Sequence, residues 1–181
     1  MKTLVVYYSK SGNNKFLAGK IAEKLGSDIE QIVPRLNAFA IQVLFSLIGK
    51  GMGIKAPAHS ISEYEKIVIC VPIWMGKLIY PAYAFITRFL NSIRKLYFVT
   101  CCGGDESEKD SRFGYNAVFN RVRNIAGDKC TLCEAFPITL ALPEEKRKDS
   151  EAVMKAHLSD NNFTGDFLNR FNVFTDKVIE N

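Results

Sequence analysis

Three short stretches of this chain combine glycine with small polar or aromatic side chains in patterns that could hold a ligand. The first, Ser9-Lys10-Ser11-Gly12-Asn13-Asn14, follows the apolar run Thr3 to Tyr8 and precedes residues with helical spacing. Such a turn points backbone N–H groups and the positive end of a helix outward, and Gly12 lets a guest approach the backbone. Ser9, Ser11 and Asn14 add short side-chain donors, a set that suits a phosphate, although a capped turn would read the same way. The spacing is neither that of a Walker loop nor G-x-G-x-x-G. The second stretch, Pro72-Ile73-Trp74-Met75-Gly76-Lys77-Leu78, carries the single tryptophan. Just past a buried strand, Trp74 could cover a flat aromatic ligand or pack under the next helix. Gly76 would let a ligand edge reach backbone amides. The third, Thr100-Cys101-Cys102-Gly103-Gly104-Asp105, places two glycines after another strand, open to ligand approach or to plain turn chemistry.

The other reactive side chains form no comparable pattern. Cys130-x-x-Cys133 has redox-dithiol spacing, but it lies in strand-like sequence, where positions three apart face opposite sides. The expectation is two unpaired thiols. Cys101 and Cys102 read as packing residues, and five cysteines without framework spacing fit a reduced chain. His59 and His157 are the only histidines and stand far apart, so neither a histidine metal site nor a triad is expected. Asp105 and Glu106 read as solvated carboxylates.

The elements that must position the three stretches alternate. Thr3 to Tyr8, Asp28 to Val33, Ile67 to Val71, Leu96 to Thr100 and Cys130 to Leu140 are apolar and strand-like. Between them, Leu17, Ile21 and Leu25 mark a helix that Asn13 or Asn14 can cap and Gly26 can end. Pro81 opens another helix carrying Ala82, Phe85, Ile86 and Phe89; Val118, Val122 and Ile125 mark a third. Phe163, Phe167, Phe171, Phe174 and Val178 form a closing stripe. The alternation predicts a doubly wound, three-layer αβα domain over residues 1–181, with a five-stranded parallel sheet. In the common order 2-1-3-4-5, strand direction of winding reverses between the first and third strands. The three stretches then meet at one carboxyl-end rim.

Composition sets outer bounds. The chain has 181 residues, 48% hydrophobic and 24% charged, as a globular domain requires. Its net charge of +5 is scattered, and the one cluster, Glu144 to Lys148, mixes signs, so a solvated surface is expected rather than a nucleic-acid contact. The longest uncharged apolar stretch, Asn37 to Gly49, is too short for a membrane span, and no leader-like segment opens the sequence, so the expected location is cytoplasmic. Within Asn37 to Ile48, Phe39, Val43 and Leu47 share a helical face that Ala40, Leu44 and Ile48 widen. That face can pack on the sheet, form a lid, or make the contact of a homodimer.

A phosphate loop, an aromatic wall and a third glycine loop together point to FMN. Ser9-x-Ser11-Gly12-Asn13-Asn14 resembles the flavodoxin phosphate loop, with Asn14 where the pattern has Thr. Pro72-Ile73-Trp74-Met75-Gly76-Lys77 is similar to the Pro-Val-Trp-x-Gly-Lys segment of a bacterial short-chain flavodoxin branch, as is Gly51 to Pro57 before Tyr64. The resemblance implies a flavodoxin-like fold with non-covalent FMN and a redox function. It implies that Ser9, Lys10, Ser11, Gly12, Asn13 and Asn14 hold the phosphate. Pro72, Ile73, Trp74, Met75, Gly76 and Lys77 would flank the isoalloxazine. Thr100, Cys101, Cys102, Gly103 and Gly104 would meet its pyrimidine edge. Electrons would pass to a redox partner protein, or the protein would be an NAD(P)H-dependent reductase of a quinone or other small acceptor. No side chain need act as a general acid or base.

Overall fold

Continuously apolar strands are stable only when covered on both faces, and here they become the middle of a parallel sheet. The computed structural model describes residues 1–36, 38–48 and 53–181. Strands β1 (Thr3–Tyr7), β2 (Asp28–Gln31), β3 (Lys66–Cys70), β6 (Lys95–Cys102) and β7 (Cys130–Pro137) pair in the order β2-β1-β3-β6-β7. The two-residue strands β4 (Ile73–Trp74) and β5 (Lys77–Leu78) form a separate antiparallel hairpin. Counting only the main sheet, the order is the expected 2-1-3-4-5.

Alternate residues of each strand feed two cores. Leu4, Val6, Ile67, Ile69, Leu96 and Phe98 meet helices α3 (Tyr80–Phe89) and α4 (Asn116–Ala126) on one face. Val5, Val68, Tyr97 and Val99 meet α1 (Asn13–Leu25) and α6 (Gly165–Glu180) on the other. The phenylalanine stripe is real: Phe136 lies 5.4 Å from Phe167 and 5.9 Å from Phe174 between ring centroids. Phe163 sits ahead of α6 yet packs on Phe171 at 4.9 Å. Helix α2 (Phe39–Ile48) lies against α3, with Phe45 edge-on to Tyr80 at 5.6 Å and Leu44 and Ile48 exposed. Asn37, Gly51 and Met52, and the side chains of Phe39 and Leu47, lie outside the described residues. Among the described residues no helix is long and apolar enough to cross a membrane.

Several boundaries differ from the sequence expectation. Strand β2 stops at Gln31 and β7 at Pro137, where a 3-10 turn, Ile138–Ala141, takes over. Neither Asn13 nor Asn14 caps α1. The cap is Gly12, in the left-handed region at φ 97°, and both asparagines are inside the helix. Strand β6 runs on to Cys102, so Thr100, Cys101 and Cys102 are strand residues rather than loop. The largest correction is in β7. Leu96 pairs with Cys130 while Tyr97 pairs with Leu132, so Thr131 is an extra, bulged residue. The bulge returns Cys130 to the side of the sheet that Cys133 faces, and their sulfurs lie 3.5 Å apart.

Candidate functional site at the carboxyl edge of the sheet

The loops after β1, β3 and β6 leave the sheet at its carboxyl edge, beside the point where the order reverses between β1 and β3. In the first, the Gly12 N–H donates to Ser9 Oγ at 3.1 Å, folding the turn back on the end of β1. The first bond of α1 runs from Phe16 N–H to Gly12 O at 2.9 Å. Helix geometry then directs the amides of residues 13–15 out of the helix end, and no acidic residue in that turn opposes its field. Lys10, Ser11 and Gly12 are exposed and Ser9 is half-buried.

Asn14, expected among the ligand donors, turns inward instead. It is 2% exposed, its Nδ2 donates to Cys101 O at 3.0 Å, and its Oδ1 accepts the Cys101 N–H at 2.9 Å. Its amide therefore fixes α1 against β6, and only its backbone N–H remains at the rim. Asn14→Ala strands two buried backbone groups, at about 1–3 kcal/mol each, so the variant should lose about 2–4 kcal/mol in urea unfolding. A loss under about 1 kcal/mol would show that Asn14 does not hold this junction.

The second loop is the β4–β5 hairpin. Met75 and Gly76 at its tip have φ 52° and 67°, the two successive positive angles of a type I′ turn. Met75 is the only non-glycine with positive φ among the described residues, and its side chain is exposed. Trp74 is half-buried, edge-on to Tyr8 with centroids 6.0 Å apart. Pro72 and Ile73 are half-buried and Lys77 is exposed. Gly76 is pressed against the third loop: a Cβ there would stand 2.4 Å from Arg112 O and 2.9 Å from Phe113 Cα.

Of the third stretch, Gly103, Gly104 and Asp105 lie beyond the strand, and the side chains of Thr100, Cys101 and Cys102 are buried. Burial pushes the Cys102 thiol up to about 12. The Thr100 hydroxyl is buried without a hydrogen-bond partner among the described residues. Glu106 is solvated as expected and Asp105 is half-exposed, and both also hold the loop together. Asp105 accepts the N–H groups of Ser107 and Glu108 at 2.8 and 3.2 Å, and the Ser107 hydroxyl holds its carboxyl below the usual range. Glu106 pairs with Arg170 at 3.0 Å and Lys109 at 3.2 Å, and the Arg170 contact lowers its pKa. Gly114 closes the loop, where a Cβ would meet Lys109 O at 2.2 Å.

One part of the rim was missed from sequence. The chain after β7 returns through α5 (Ser150–Lys155) and joins the third loop to the first. Val153 Cγ1 lies 3.6 Å from the Cβ position of Gly103. Asn13 Nδ2 donates to Ala156 O at 3.0 Å, and Asn13 Oδ1 accepts the Leu158 N–H at 2.9 Å. Lys20 pairs with Asp160 at 2.8 Å. The available signal was Asp149, whose side chain caps α5 through the N–H groups of Glu151 and Ala152.

No family model matches the chain. No curated protein matches it either. Solved structures do. A flavoprotein from Lactobacillus acidophilus in complex with FMN superposes with a TM-score of 0.60 at 21% identity, covering 74% of this chain and 91% of that one. A Bacteroides eggerthii protein proposed to be a flavoprotein gives 0.61 at 18% identity, covering 84% and 93%. A flavodoxin from Streptococcus pneumoniae TIGR4 gives 0.51 at 11% identity, covering 99% of both chains. These likenesses and the strand order β2-β1-β3-β6-β7 show that the chain has the flavodoxin-like fold.

Proposed function

We propose that the carboxyl-edge rim binds FMN and that the protein transfers electrons through it. The open N-terminus of α1 carries this reading: unopposed amides of residues 13–15, the Ser9 and Ser11 hydroxyls, and a glycine cap. The donor set fits a phosphate dianion. Beyond the adjoining residues, no described protein atom lies within 4 Å of the Cβ position of Gly12, so a phosphate can approach the backbone there. Pro72 to Lys77 supply the wall for the ring, and the backbone of Gly103 and Gly104 supplies its polar edge. Bound FMN supplies electron-transfer chemistry, and this chain supplies binding, orientation and electrostatics. The hairpin tip presents the Met75–Gly76 peptide in a strained turn, suited to hydrogen-bonding a ring edge without any titrating side chain.

The electron partner is a redox protein or a small acceptor such as a quinone or nicotinamide. The charge of the rim favours keeping an NAD(P)H-dependent reductase as the second reading. Lys10 and Lys77 are exposed, and a cavity of about 610 Å³ under the third loop mixes both signs, Arg147, Lys148 and Arg170 with Asp105, Glu106, Glu144 and Asp166. With both signs mixed among the described residues there, neither dominates as a field that would steer a large partner.

Titration of the purified chain with FMN should saturate at one flavin per chain with strong fluorescence quenching. Failure to bind would overturn the proposal. Trp74→Ala should weaken binding by about 1–3 kcal/mol, the scale of base–aromatic stacking losses. Unchanged affinity with quenching intact would leave Trp74 as packing against Tyr8. Stopped-flow mixing of the loaded protein with NADPH and NADH separates the readings: fast reduction identifies a reductase, none a carrier.

A further inference from the structure

The bulge in β7 creates a second reactive centre, far from the rim. Cys130 opens the strand and Pro137 ends it at the carboxyl edge, so at about 3.3 Å per residue Cys130 stands roughly 23 Å and Cys133 roughly 13 Å from that edge. Without the bulge, Cys130 and Cys133 would face opposite sides. With it, they share the α3–α4 face beside Leu96 and Phe98, with sulfurs 3.5 Å apart. A disulfide requires about 2.05 Å, so the sulfurs have about 1.5 Å to close.

The two thiols are unequal in the way exchange chemistry needs. Cys130 is half-buried, next to exposed Thr131, whereas Cys133 is 8% exposed. The hydrogen bond from Cys133 stabilises the Cys130 thiolate and lowers its pKa, and the nearby Arg123 guanidinium acts in the same direction. Cys133 is pushed up by that same bond. The other three thiols, Cys70, Cys101 and Cys102, are buried and pushed up by desolvation, so they are poor nucleophiles.

We propose that Cys130 and Cys133 form a reversible dithiol–disulfide couple that exchanges with low-molecular-weight disulfides. The Cys130 thiolate attacks one sulfur of RSSR, forming a mixed disulfide and expelling RS⁻. Cys133 gives its proton to that thiolate and attacks the Cys130 sulfur. The second RS⁻ leaves and takes up the proton that Cys130 first released to solvent. One disulfide is thereby reduced to two RSH while the protein dithiol is oxidised by two electrons. Cys130 is the attacking residue and Cys133 the resolving one. The couple does not depend on what the rim binds.

Incubation of the reduced, folded protein with oxidised glutathione, followed by alkylation and peptide mass mapping, tests this. Two of the five thiols should disappear together, as one intramolecular Cys130–Cys133 disulfide that dithiothreitol reverses. Cys133→Ser should accumulate a glutathione adduct on Cys130, and Cys130→Ser should form none on Cys133. Alkylation of Cys130 at neutral pH should outpace that of each buried thiol by about tenfold or more. Retention of all five thiols, oxidation at Cys101–Cys102 instead, or only intermolecular disulfides would overturn the proposal. The wild-type mapping decides the matter even if a variant folds poorly.

Discussion

Riboflavin should bind this protein roughly a hundredfold more weakly than FMN. A phosphate at the end of α1 would gain at least two charge-assisted hydrogen bonds from the amides of residues 13–15, at about 1.5 kcal/mol or more each. Each 1.4 kcal/mol is about tenfold in affinity. Gly12→Val should remove most of this preference. The added branches enter the space in front of those amides, and φ 97° is unfavourable for any side chain with a Cβ. Beyond the adjoining residues, no described protein atom lies within 4 Å of the Cβ position, so the cost to the fold should stay at about 1–2 kcal/mol of backbone strain. Paired titrations of both flavins on both proteins check the prediction. Equal affinities on the wild type would detach the phosphate from the first loop.

Gly76→Ala should damage the rim more than any other single methyl in the hairpin. Its Cβ would stand 2.4 Å from Arg112 O, a backbone atom that no side-chain rotation can move, and φ 67° adds left-handed strain. The hairpin tip must lift from the third loop, costing about 2–3 kcal/mol of stability and at least about tenfold in flavin affinity. Gly104→Ala is the matched control. It meets no described atom within 4 Å and has no positive φ, so its stability should change by less than about 0.5 kcal/mol. If the two alanines behaved alike in thermal unfolding, the loop contact at Gly76 would not be holding the hairpin.

The parts of this architecture legible in the sequence are those set by local composition. Buried parallel strands announce themselves as unbroken apolar runs, and loops after them as glycine with polar residues. That was enough for the alternation of strands and helices, while the order 2-1-3-4-5, and with it the three loops at one edge, came from the common arrangement of such sheets. Strand ends were less legible because Thr100, Cys101 and Cys102 are small and compatible with strand or turn. What settles them is pairing with Ala135, Phe136 and Pro137 on β7. Asn14 looked like a donor at a helix end. Its role as an internal clamp depends on Cys101, 87 positions away, which no local pattern records. The bulge at Thr131 was illegible for a related reason. Strict alternation along Cys130 to Leu140 gives the wrong face to Cys130, and only the register against Leu96 and Tyr97 reveals the extra residue.

The clamp on Asn13 bears on how the protein is made. Its bonds to Ala156 and Leu158 span 143 and 145 positions. A ribosome emits β1 and the first loop early, but that loop cannot reach its final geometry until Leu158 has been added and has left the exit tunnel. Contacts of such long separation are slow to form because closing the chain between them carries a large entropic cost. Completion of the first loop therefore waits until residues 156–158 have emerged, and binding that needs Asn13 in place comes after that point.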